Sequence, residues 1–218
     1  MQVIYLDWSD GASAQEIVNS YGMDVRDSGR VQMLVAGAAA ADGQDVKNDY
    51  NVAVIENLAA FDVDAFVKKL CDGVLAKIGA SSIPSGNYPV IFEKDAMTDL
   101  FSAFMDMFSG ELIGKGISPL RDKLGQQIYS EKVSVVDDAR NGALISVTNY
   151  DDEGCPTSRK TVVKDGVFTT ALHSTKTAMA AGTVSTGNGF KGDYTAPITV
   201  QPKNCMIVPG EKSLDELC

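Results

Sequence analysis

The pattern of hydrophobic and polar positions over the first 55 residues predicts three β-strands. Residues 3–8 are β-branched and aromatic and precede Asp10 and Gly11, a pair typical of a turn, and residues 50–55 alternate between apolar and polar positions. Between them, residues 31–41 are apolar and small, which favours a central strand with closely packed neighbours. The first part of the chain is therefore predicted to form a small sheet.

The next pattern has the periodicity of an amphipathic helix. Asp62 can cap a helix over residues 63–78, and Gly79 can end it. The apolar residues that recur at i, i+3, i+4 and i+7 within it are Val63, Phe66, Val67, Leu70, Val74 and Ile78. We expect this apolar stripe to pack on the sheet.

A domain boundary is predicted within residues 81–89, which are dense in serine, glycine and proline. Such segments commonly connect independently packed units. We therefore predict an α/β domain over residues 1–83 and a second domain over residues 84–218.

The segment 96–108 is apolar on nearly every side. A helix of this composition is usually buried on all faces, and Gly110 can end it. Its methionines could instead line an adaptable binding groove, but core packing is the favoured interpretation. We therefore predict a short strand at residues 90–92 that leads into a buried helix over residues 96–108.

The C-terminal part of the chain has the pattern of β-structure. Strands are predicted at residues 133–136 and 143–148, and residues 161–168 form two apolar runs around Asp165 and Gly166. An Asp-Gly pair between such runs is a strong signal for a β-hairpin. The predicted fold class is α+β: a small N-terminal sheet with a packed helix, followed by a mainly antiparallel β domain that contains the buried helix.

Composition and charge indicate where the protein is located and which classes of ligand it can bind. The 218 residues are 44% hydrophobic and 22% charged, as in globular proteins, and the net charge of −10 would repel nucleic acid. The N-terminus lacks the basic region of a secretory signal, and the longest apolar stretch is too short to cross a bilayer. Four scattered cysteines lack the spacing of a zinc site or a disulfide scaffold: Cys71, Cys155, Cys205 and Cys218. We expect a soluble cytoplasmic protein with free thiols, no direct nucleic-acid ligand and no membrane contact.

A series of short motifs runs through the second predicted domain. In chain order they are Lys-Gly-Ile-Ser-Pro-Leu (115–120), Leu-Gly-Gln-Gln-Ile (124–128), Val-Asp-Asp (136–138), Asp-Asp-Glu-Gly-Cys-Pro (151–156), Lys-Asp-Gly-Val (164–167) and Ser-Thr-Gly-Asn-Gly (185–189). Each is weak alone, but their order and spacing over residues 84–217 resemble the TldD/PmbA family, often called modulators of DNA gyrase. The chain is most similar to the PmbA (TldE) branch and resembles a partial or shortened member.

The resemblance implies a cytoplasmic TldD–TldE heterodimer that degrades or matures peptides, with zinc held by an HExxxH helix of the TldD-type subunit. The positions that correspond to its first histidine, glutamate and second histidine are here Ser102, Ala103 and Met107, none of which can ligate zinc or take a proton. His173 is the only histidine in the chain. The resemblance therefore implies a non-catalytic subunit without a cofactor of its own. Its partners would be a zinc-holding TldD-like subunit and a peptide substrate, and the isolated chain could form a homodimer.

Two polar segments are candidate sites of substrate or partner contact. The glycine-rich loop 185–189 lacks the ending of a phosphate loop, and it is either a plain turn or a set of backbone amides for an anion or an extended peptide. The acidic residues within 137–153 either shape turns or hold a hard cation. The candidate contact residues are Ser185, Thr186, Gly187, Asn188, Gly189, Asp151, Asp152 and Glu153.

Two other functions stay open at this point. A divalent metal held by the acidic residues could activate water and make the chain a hydrolase in its own right, or the chain could be a folded fragment with only a structural or interaction role. The acidic residues concerned are Asp137, Asp138, Asp151, Asp152 and Glu153. His173 has no second ligand at metal spacing and is interpreted as a structural residue, and Cys155 lacks an activating base.

Overall fold

A computed structural model of the protein describes residues 1–142, 147–213 and 216–217. The chain divides into two compact units, each made of two segments: Met1–Ser13 with Arg30–Tyr88, and Ala14–Gly29 with Pro89–Cys218. This differs from the predicted division between residues 83 and 84 in two respects. The first unit extends to Tyr88. Residues Ala14–Gly29, which lie near the N-terminus, belong to the second unit.

The N-terminal region forms a three-stranded sheet. Its strands are β1 (Gln2–Val18), β2 (Asp24–Asp42) and β3 (Asp45–Val54). β2 pairs antiparallel with β3, from Met33 opposite Val54 to Asp42 opposite Asp45. Because β2 lies between β1 and β3, the predicted central position of residues 31–41 is confirmed.

The predicted turn at Asp10 and Gly11 is wrong, because β1 runs through both residues and ends only at Val18. The Asp10 carboxylate accepts a hydrogen bond from Arg30 Nη2 at 2.6 Å and another from Gln32 Nε2 at 3.0 Å, both on β2. Oppositely charged cross-strand pairs stabilise antiparallel strands. Pairing with β2 therefore overrides the local turn preference of the Asp-Gly pair.

Helix α1 (Val63–Ala76) confirms the predicted helix and ends two residues before the predicted end at residue 78. The Asp62 carboxylate accepts a hydrogen bond from the Ala65 N–H at 2.9 Å, which satisfies one of the free amides of the first turn. The residues of its buried face are Phe66, Leu70 and Val74, which pack with Ala36, Ala38 and Ala40 of β2. The helix thus covers β2 as the periodicity predicts.

The strand and the single buried helix predicted between residues 90 and 108 are wrong. Residues 90–92 belong to none of the strands in the described part of the chain. Helix α2 (Lys94–Ser102) is followed by a separate 3₁₀ turn (Met105–Phe108), and none of the α2 residues, all of which are described, is buried. Apolar composition indicates that burial is favourable, but it does not supply a packing partner for each face of a helix.

The second unit contains two small antiparallel sheets, with strand orders β6-β5-β4-β9 and β7-β8. The strands are β4 (Val135–Asp138), β5 (Arg159–Lys164), β6 (Val167–Phe168), β7 (Gly189–Phe190), β8 (Thr199–Val200) and β9 (Cys205–Ile207). The predicted hairpin is confirmed: Asp165 and Gly166 join β5 to β6 with φ angles of 47° and 79°. The strand predicted at residues 133–136 begins two residues later. Most of the strand predicted at residues 143–148 lies outside the described residues.

The core of the second unit is formed by apolar residues from its sheet and its loops. They are Phe108, Leu120, Val135, Val162, Val163, Phe168, Leu172 and Val200. Gly110, which was expected to end a helix, begins α3 (Gly110–Gly114), and its N–H donates to the Leu172 carbonyl at 2.7 Å. Helix α4 (Thr175–Ala181) follows and is capped by Ser174. Short helices packed with antiparallel strands confirm the predicted α+β class.

Two expectations from composition can be compared with the structure. Within the described residues, no helix has both the length and the apolar character that crossing a bilayer requires. Cys71, Cys155 and Cys205 are free thiols, and Cys218 lies outside the described residues. Burial raises the pKa of the Cys205 thiol to about 12, so this thiol is protonated at neutral pH.

Candidate functional site

The loop 185–189 is held in place by one of its own residues, Asn188, whose side chain is fully buried. Asn188 Nδ2 donates one hydrogen bond to Asp137 Oδ2 and another to the Gln201 carbonyl, each at 2.9 Å. Its Oδ1 accepts a hydrogen bond from Thr186 Oγ1 at 2.7 Å. Every polar atom named here has a partner, so the amide of Asn188 fixes the conformation of the loop.

A buried ion pair lies under the same loop. Lys160 Nζ is 3.1 Å from Asp137 Oδ2, and the two side chains are 8% and 0% exposed. Lys160 Nζ also donates to the Thr186 carbonyl at 3.0 Å, and Asp137 Oδ1 accepts from the Lys203 N–H at 2.6 Å. Since Asp137 and Lys160 are paired residues of β4 and β5, the ion pair ties the loop to the middle of the sheet.

The acidic turn at residues 151–153 is held against the loop by its first residue. Asp151 is fully buried, and its Oδ1 accepts from the N–H groups of Glu153 and Cys155 at 3.0 and 2.9 Å. Its Oδ2 accepts from the Gly189 N–H at 2.9 Å. Burial raises the pKa of the Asp151 carboxyl, although these three amide donors act in the opposite direction. The structure therefore brings the two predicted contact segments together.

The other two acidic residues of the turn are partly exposed and also support this junction. Asp152 Oδ2 accepts from the Lys191 N–H at 2.7 Å, and Asp152 Oδ1 accepts from Gln15 Nε2 at 2.8 Å. Glu153 Oε2 accepts from the Thr175 N–H at 2.7 Å, at the first turn of α4. Each carboxylate thus links the turn to another segment of the second unit.

Three backbone N–H groups of the loop, those of Thr186, Gly187 and Gly189, have partners within the protein. The Thr186 N–H donates to the His173 carbonyl at 3.1 Å, and the Gly187 N–H donates to Ser185 Oγ at 3.2 Å. Together with the Gly189 bond to Asp151, this geometry favours a structured turn over a set of free amides. Residues 187–189 and Asp151 are buried, whereas four of the candidate contact residues are partly exposed: Ser185, Thr186, Asp152 and Glu153.

The five acidic residues considered as a cation site separate into two environments. Asp137 pairs with Lys160, and Asp138 Oδ2 lies 3.5 Å from Arg159 Nη1. Among the described residues, the three-ligand group consists of Asp151, Glu153 and Cys155, whose ligand atoms lie within 4.8 Å of one another. The Asp151 oxygens and Glu153 Oε2 already accept backbone hydrogen bonds, which is the role of carboxylates that shape turns.

The positions at which the resemblance places the zinc motif do not offer zinc ligands. Ser102 is the last residue of α2, and its hydroxyl donates to the Asp99 carbonyl at 2.8 Å. Ala103 has only a methyl group, and the Met107 thioether lies 3.5 Å from the Tyr129 hydroxyl. Zinc in proteins is bound by thiolate, imidazole and carboxylate groups, so this donor set does not fit the ion.

The sequence analysis does not identify Lys160 as part of the site, although the pattern of its strand contains one signal for a buried lysine. In β5, Lys160 and Val162 are both buried, as the two-residue period of a strand requires of residues on one face. A lysine on the buried face of a strand needs a carboxylate or another acceptor nearby. The alternation alone does not identify Asp137 as that partner, because the two residues meet only through strand pairing.

His173 is a buried structural residue, in agreement with the sequence interpretation. Its side chain is 8% exposed, and its Nδ1 lies 3.2 Å from Thr177 Oγ1. Burial lowers the pKa of the imidazole below its ordinary value of 6.5. Its backbone N–H and carbonyl also bond to Thr186, so His173 supports the loop at residues 185–189.

We expect the imidazole of His173 to titrate below pH 6.5 in the folded protein. Because the unfolded chain then binds more protons as the pH falls below about 6.5, stability should fall there, by at most about 1.4 kcal/mol per pH unit. The chain has one histidine, so its Hε1 NMR signal can be followed directly. His173→Gln should remove this part of the pH dependence, and a midpoint at or above 6.5 would contradict the prediction.

Comparison with known proteins identifies one family over most of the chain. The family described as PmbA/TldA metallopeptidase C-terminal domain matches residues 85–218. This range contains the loop 185–189 and the acidic turn 151–153, and it begins close to the start of the second predicted domain. The match agrees with the resemblance inferred from the order of the motifs.

The alignments with curated relatives cover most of this chain but less than half of the length of each relative. A protein named MJ0231 from Methanocaldococcus jannaschii is 29% identical over 202 residues, which are 92% of this chain and 46% of that relative. The metalloprotease PmbA of Escherichia coli O157:H7 is 25% identical over 171 residues, which are 78% of this chain and 38% of that relative. Both relatives align with the chain across its two units.

Two solved structures are similar in fold and in sequence. A protein described as a modulator of a DNA gyrase (TM0727) from Thermotoga maritima has a TM-score of 0.90 and 34% identity, and the match covers 99% of this chain and 49% of that protein. TldE from Thermococcus kodakarensis has a TM-score of 0.82 and 26% identity, over 95% of this chain and 47% of that protein. The chain spans about half the length of the relatives it matches.

Proposed function

This chain belongs to the PmbA/TldD family of metallopeptidase-related proteins, and from that premise we propose that it is a non-catalytic PmbA/TldE-like subunit of a cytoplasmic TldD/TldE-type zinc metallopeptidase. In this role it binds a TldD-like subunit that holds the zinc, and the complex matures or degrades peptides. The proposal concerns a chain that spans about half the length of its relatives.

The donor set at residues 102–107 carries the proposal. By the resemblance, Ser102, Ala103 and Met107 correspond to the first histidine, the glutamate and the second histidine of the family motif. None of these side chains can hold zinc in the way that activates water, and Ala103 cannot act as a general base. A family member with this segment contributes to peptide hydrolysis only through a partner that supplies the metal.

The contribution of this chain is peptide or partner contact at the junction of the loop 185–189 and the turn 151–153. Ser185, Thr186, Asp152 and Glu153 are its partly exposed members and offer hydroxyl and carboxylate oxygens that can accept hydrogen bonds from a peptide main chain. The buried members, Gly187, Asn188, Gly189 and Asp151, hold these side chains in place. The proposed site includes all eight residues because four of them can contact a ligand and the other four hold those side chains in position.

The test is co-expression with a TldD-like subunit encoded in the same genome. We expect the two chains to co-purify, zinc to be found at one equivalent per TldD-like chain, and peptides to be cleaved by the complex. The isolated chain should bind no stoichiometric zinc and cleave nothing. Metal-dependent cleavage by the isolated chain would overturn the proposal, and so would the failure of the two chains to associate.

A second candidate function is a metal-dependent hydrolase, favoured by the approach of Asp151, Glu153 and Cys155 to within 4.8 Å of one another. For this function, a divalent cation at these ligands would activate water in the isolated chain. Glu153→Gln would then abolish activity while leaving the fold intact, and a chelator would lower the melting temperature. An unchanged melting temperature on addition of chelator would exclude this candidate and leave the subunit role or a purely structural role.

A further inference from the structure

The hairpin that joins β1 to β2 contacts the acidic turn of the candidate site. β1 and β2 are neighbours in their sheet, and residues 19–23 connect them, a length that suits antiparallel strands and is too short for parallel ones. The end of this hairpin, residues Ala14–Gly29, belongs to the second unit, as the turn does. We call these residues the hairpin tip.

Two side chains of the hairpin tip hydrogen-bond to the turn and to the residue that lies two positions before it. Gln15 Nε2 donates to Asp152 Oδ1 at 2.8 Å. Asp27 uses both carboxylate oxygens, which accept from the Asn149 backbone N–H at 2.6 Å and from Asn149 Nδ2 at 2.9 Å. These bonds join segments that are more than 100 residues apart in the sequence.

Bonds within the hairpin tip give it a structure that does not depend on the turn. Arg26 Nη2 lies 2.6 Å from Glu16 Oε1 on the neighbouring strand. The Asn19 N–H donates to the Met23 carbonyl at 3.1 Å, and Asn19 Oδ1 accepts from the Met23 N–H at 3.2 Å. Because none of these bonds involves the turn, the hairpin tip can leave it as one body.

The hairpin tip is attached to the turn by exposed contacts. None of residues 14–29, all of which are described, is buried, and four of them are half-buried: Ile17, Met23, Val25 and Asp27. Met23 lies beside Gly154, where a Cβ added to the glycine would overlap the Met23 sulfur. Segments that have few buried contacts and exposed hydrogen bonds open locally at a low cost in free energy.

The closed hairpin tip occupies the carboxylate of Asp152, one of the proposed contact residues. Asp152 Oδ2 accepts from the Lys191 backbone N–H at 2.7 Å, and Asp152 Oδ1 accepts from Gln15. The backbone donor is fixed by the fold, whereas the Gln15 amide lies at the end of a flexible side chain. The bond from Gln15 is therefore the one that a peptide N–H can replace.

We infer that the hairpin tip is a lid on the acidic turn, which holds Asp152 through Gln15 when closed and releases Asp152 to the peptide when open. This inference rests on the proposed function and adds to it a conformational step that controls access to the site. The apparent affinity of such a protein is reduced in proportion to the fraction of molecules that are open. Variants that favour the open form therefore bind peptide more tightly, whereas the loss of a merely structural contact would weaken binding.

The first measurement is hydrogen exchange of the isolated chain, followed by NMR. The Asn149 N–H donates to Asp27 and is released when the lid opens. Gln15→Ala removes the other polar attachment of the lid and should make this N–H exchange about two- to tenfold faster, the effect of losing one exposed hydrogen bond. The Gly154 N–H donates to the Asp151 carbonyl within the turn, so its exchange rate should not change.

The second measurement is cleavage of a fluorescein-labelled tryptic digest of casein by the complex with the TldD-like subunit. Gln15→Ala and Asp27→Ala should each lower the apparent KM by about two- to tenfold. The kcat should stay the same, because the zinc belongs to the partner in the proposed function. The matched control is Asp24→Ala, which removes an exposed aspartate of the same hairpin tip that lies 3.6 Å from Arg26 Nε. We expect this control to leave the apparent KM unchanged.

The outcomes separate this inference from the proposed function. If the Asn149 N–H exchanges equally fast in Gln15→Ala and in the unmodified chain, the hairpin tip does not open as one body; the lid is wrong and the subunit role stands. If exchange becomes faster but the apparent KM stays the same or rises in both variants, opening does not control the site, which also overturns the inference alone. If the complex of unmodified chains cleaves no peptide of the digest, the proposed function and the inference are both overturned.

Discussion

Replacing Lys160 with methionine is expected to lower the free energy of unfolding of the second unit by about 3–5 kcal/mol. Methionine keeps most of the apolar volume of the side chain but removes the charge, so the buried Asp137 carboxyl group loses its countercharge. The Thr186 carbonyl also loses the hydrogen bond from Lys160 Nζ. Urea denaturation, together with hydrogen exchange of the β5 amides, measures the loss in this unit directly.

Two comparisons show whether the buried charge is the cause. Lys115→Met removes the exposed ion pair with Glu111, whose side chains are 57% and 30% exposed, and should cost less than about 1 kcal/mol. Combining Lys160→Met with Asp137→Asn removes both charges and should recover part of the loss. If Lys160→Met is no more destabilising than Lys115→Met, the ion pair does not hold the loop.

The features that the sequence predicted correctly depend on short stretches of chain. Asp62 and the apolar spacing after it are sufficient for α1, and the Asp165-Gly166 pair between two apolar runs is sufficient for the hairpin of β5 and β6. The spacing of apolar residues in these segments follows the period of a helix or of a strand, because one face of each element is buried. No knowledge of the partner segment is needed to recognise them.

The features that it predicted wrongly depend on partners that are distant in sequence. The predicted turn at Asp10 does not form, because the Asp10 carboxylate accepts hydrogen bonds from Arg30 and Gln32 on the neighbouring strand. The apolar composition of residues 96–108 predicts a helix buried on all faces, because composition cannot distinguish a core face from an exposed one. In both cases the decisive contact is made by residues whose position the local pattern does not encode.

The candidate site shows the same distinction. The motifs identified the loop 185–189 and the turn 151–153, and the structure brings them together through the bond from the Gly189 N–H to Asp151. The sequence did not reveal that the N–H groups of Thr186, Gly187 and Gly189 are bonded within the protein or that Lys160 and Asp137 lie beneath the loop. A glycine-rich loop is equally compatible with free and with bonded amides, and only the fold decides between them.

Gly187→Ala is expected to lower the free energy of unfolding by about 2–5 kcal/mol and to displace the loop 185–189. Gly187 has a φ of +68°, and a Cβ added there would lie 2.5 Å from the Pro156 carbonyl oxygen. That oxygen belongs to the backbone, so the loop must move rather than a flexible side chain. Because Ser185 and Thr186 move with it, cleavage by the complex with the TldD-like subunit should also fall under the proposed function.

Gly182→Ala provides the matched control for this variant. Gly182 has a nearly identical φ of +67°, but no atom lies within 4 Å of an added Cβ, so only the cost of a left-handed alanine applies, about 1–2 kcal/mol. The difference between the two variants isolates the contact with Pro156 and should be about 1–3 kcal/mol. Equal losses would show that the loop can move away from Pro156 at no cost. In that case the close approach seen at Gly187 would not be what fixes the position of Ser185 and Thr186.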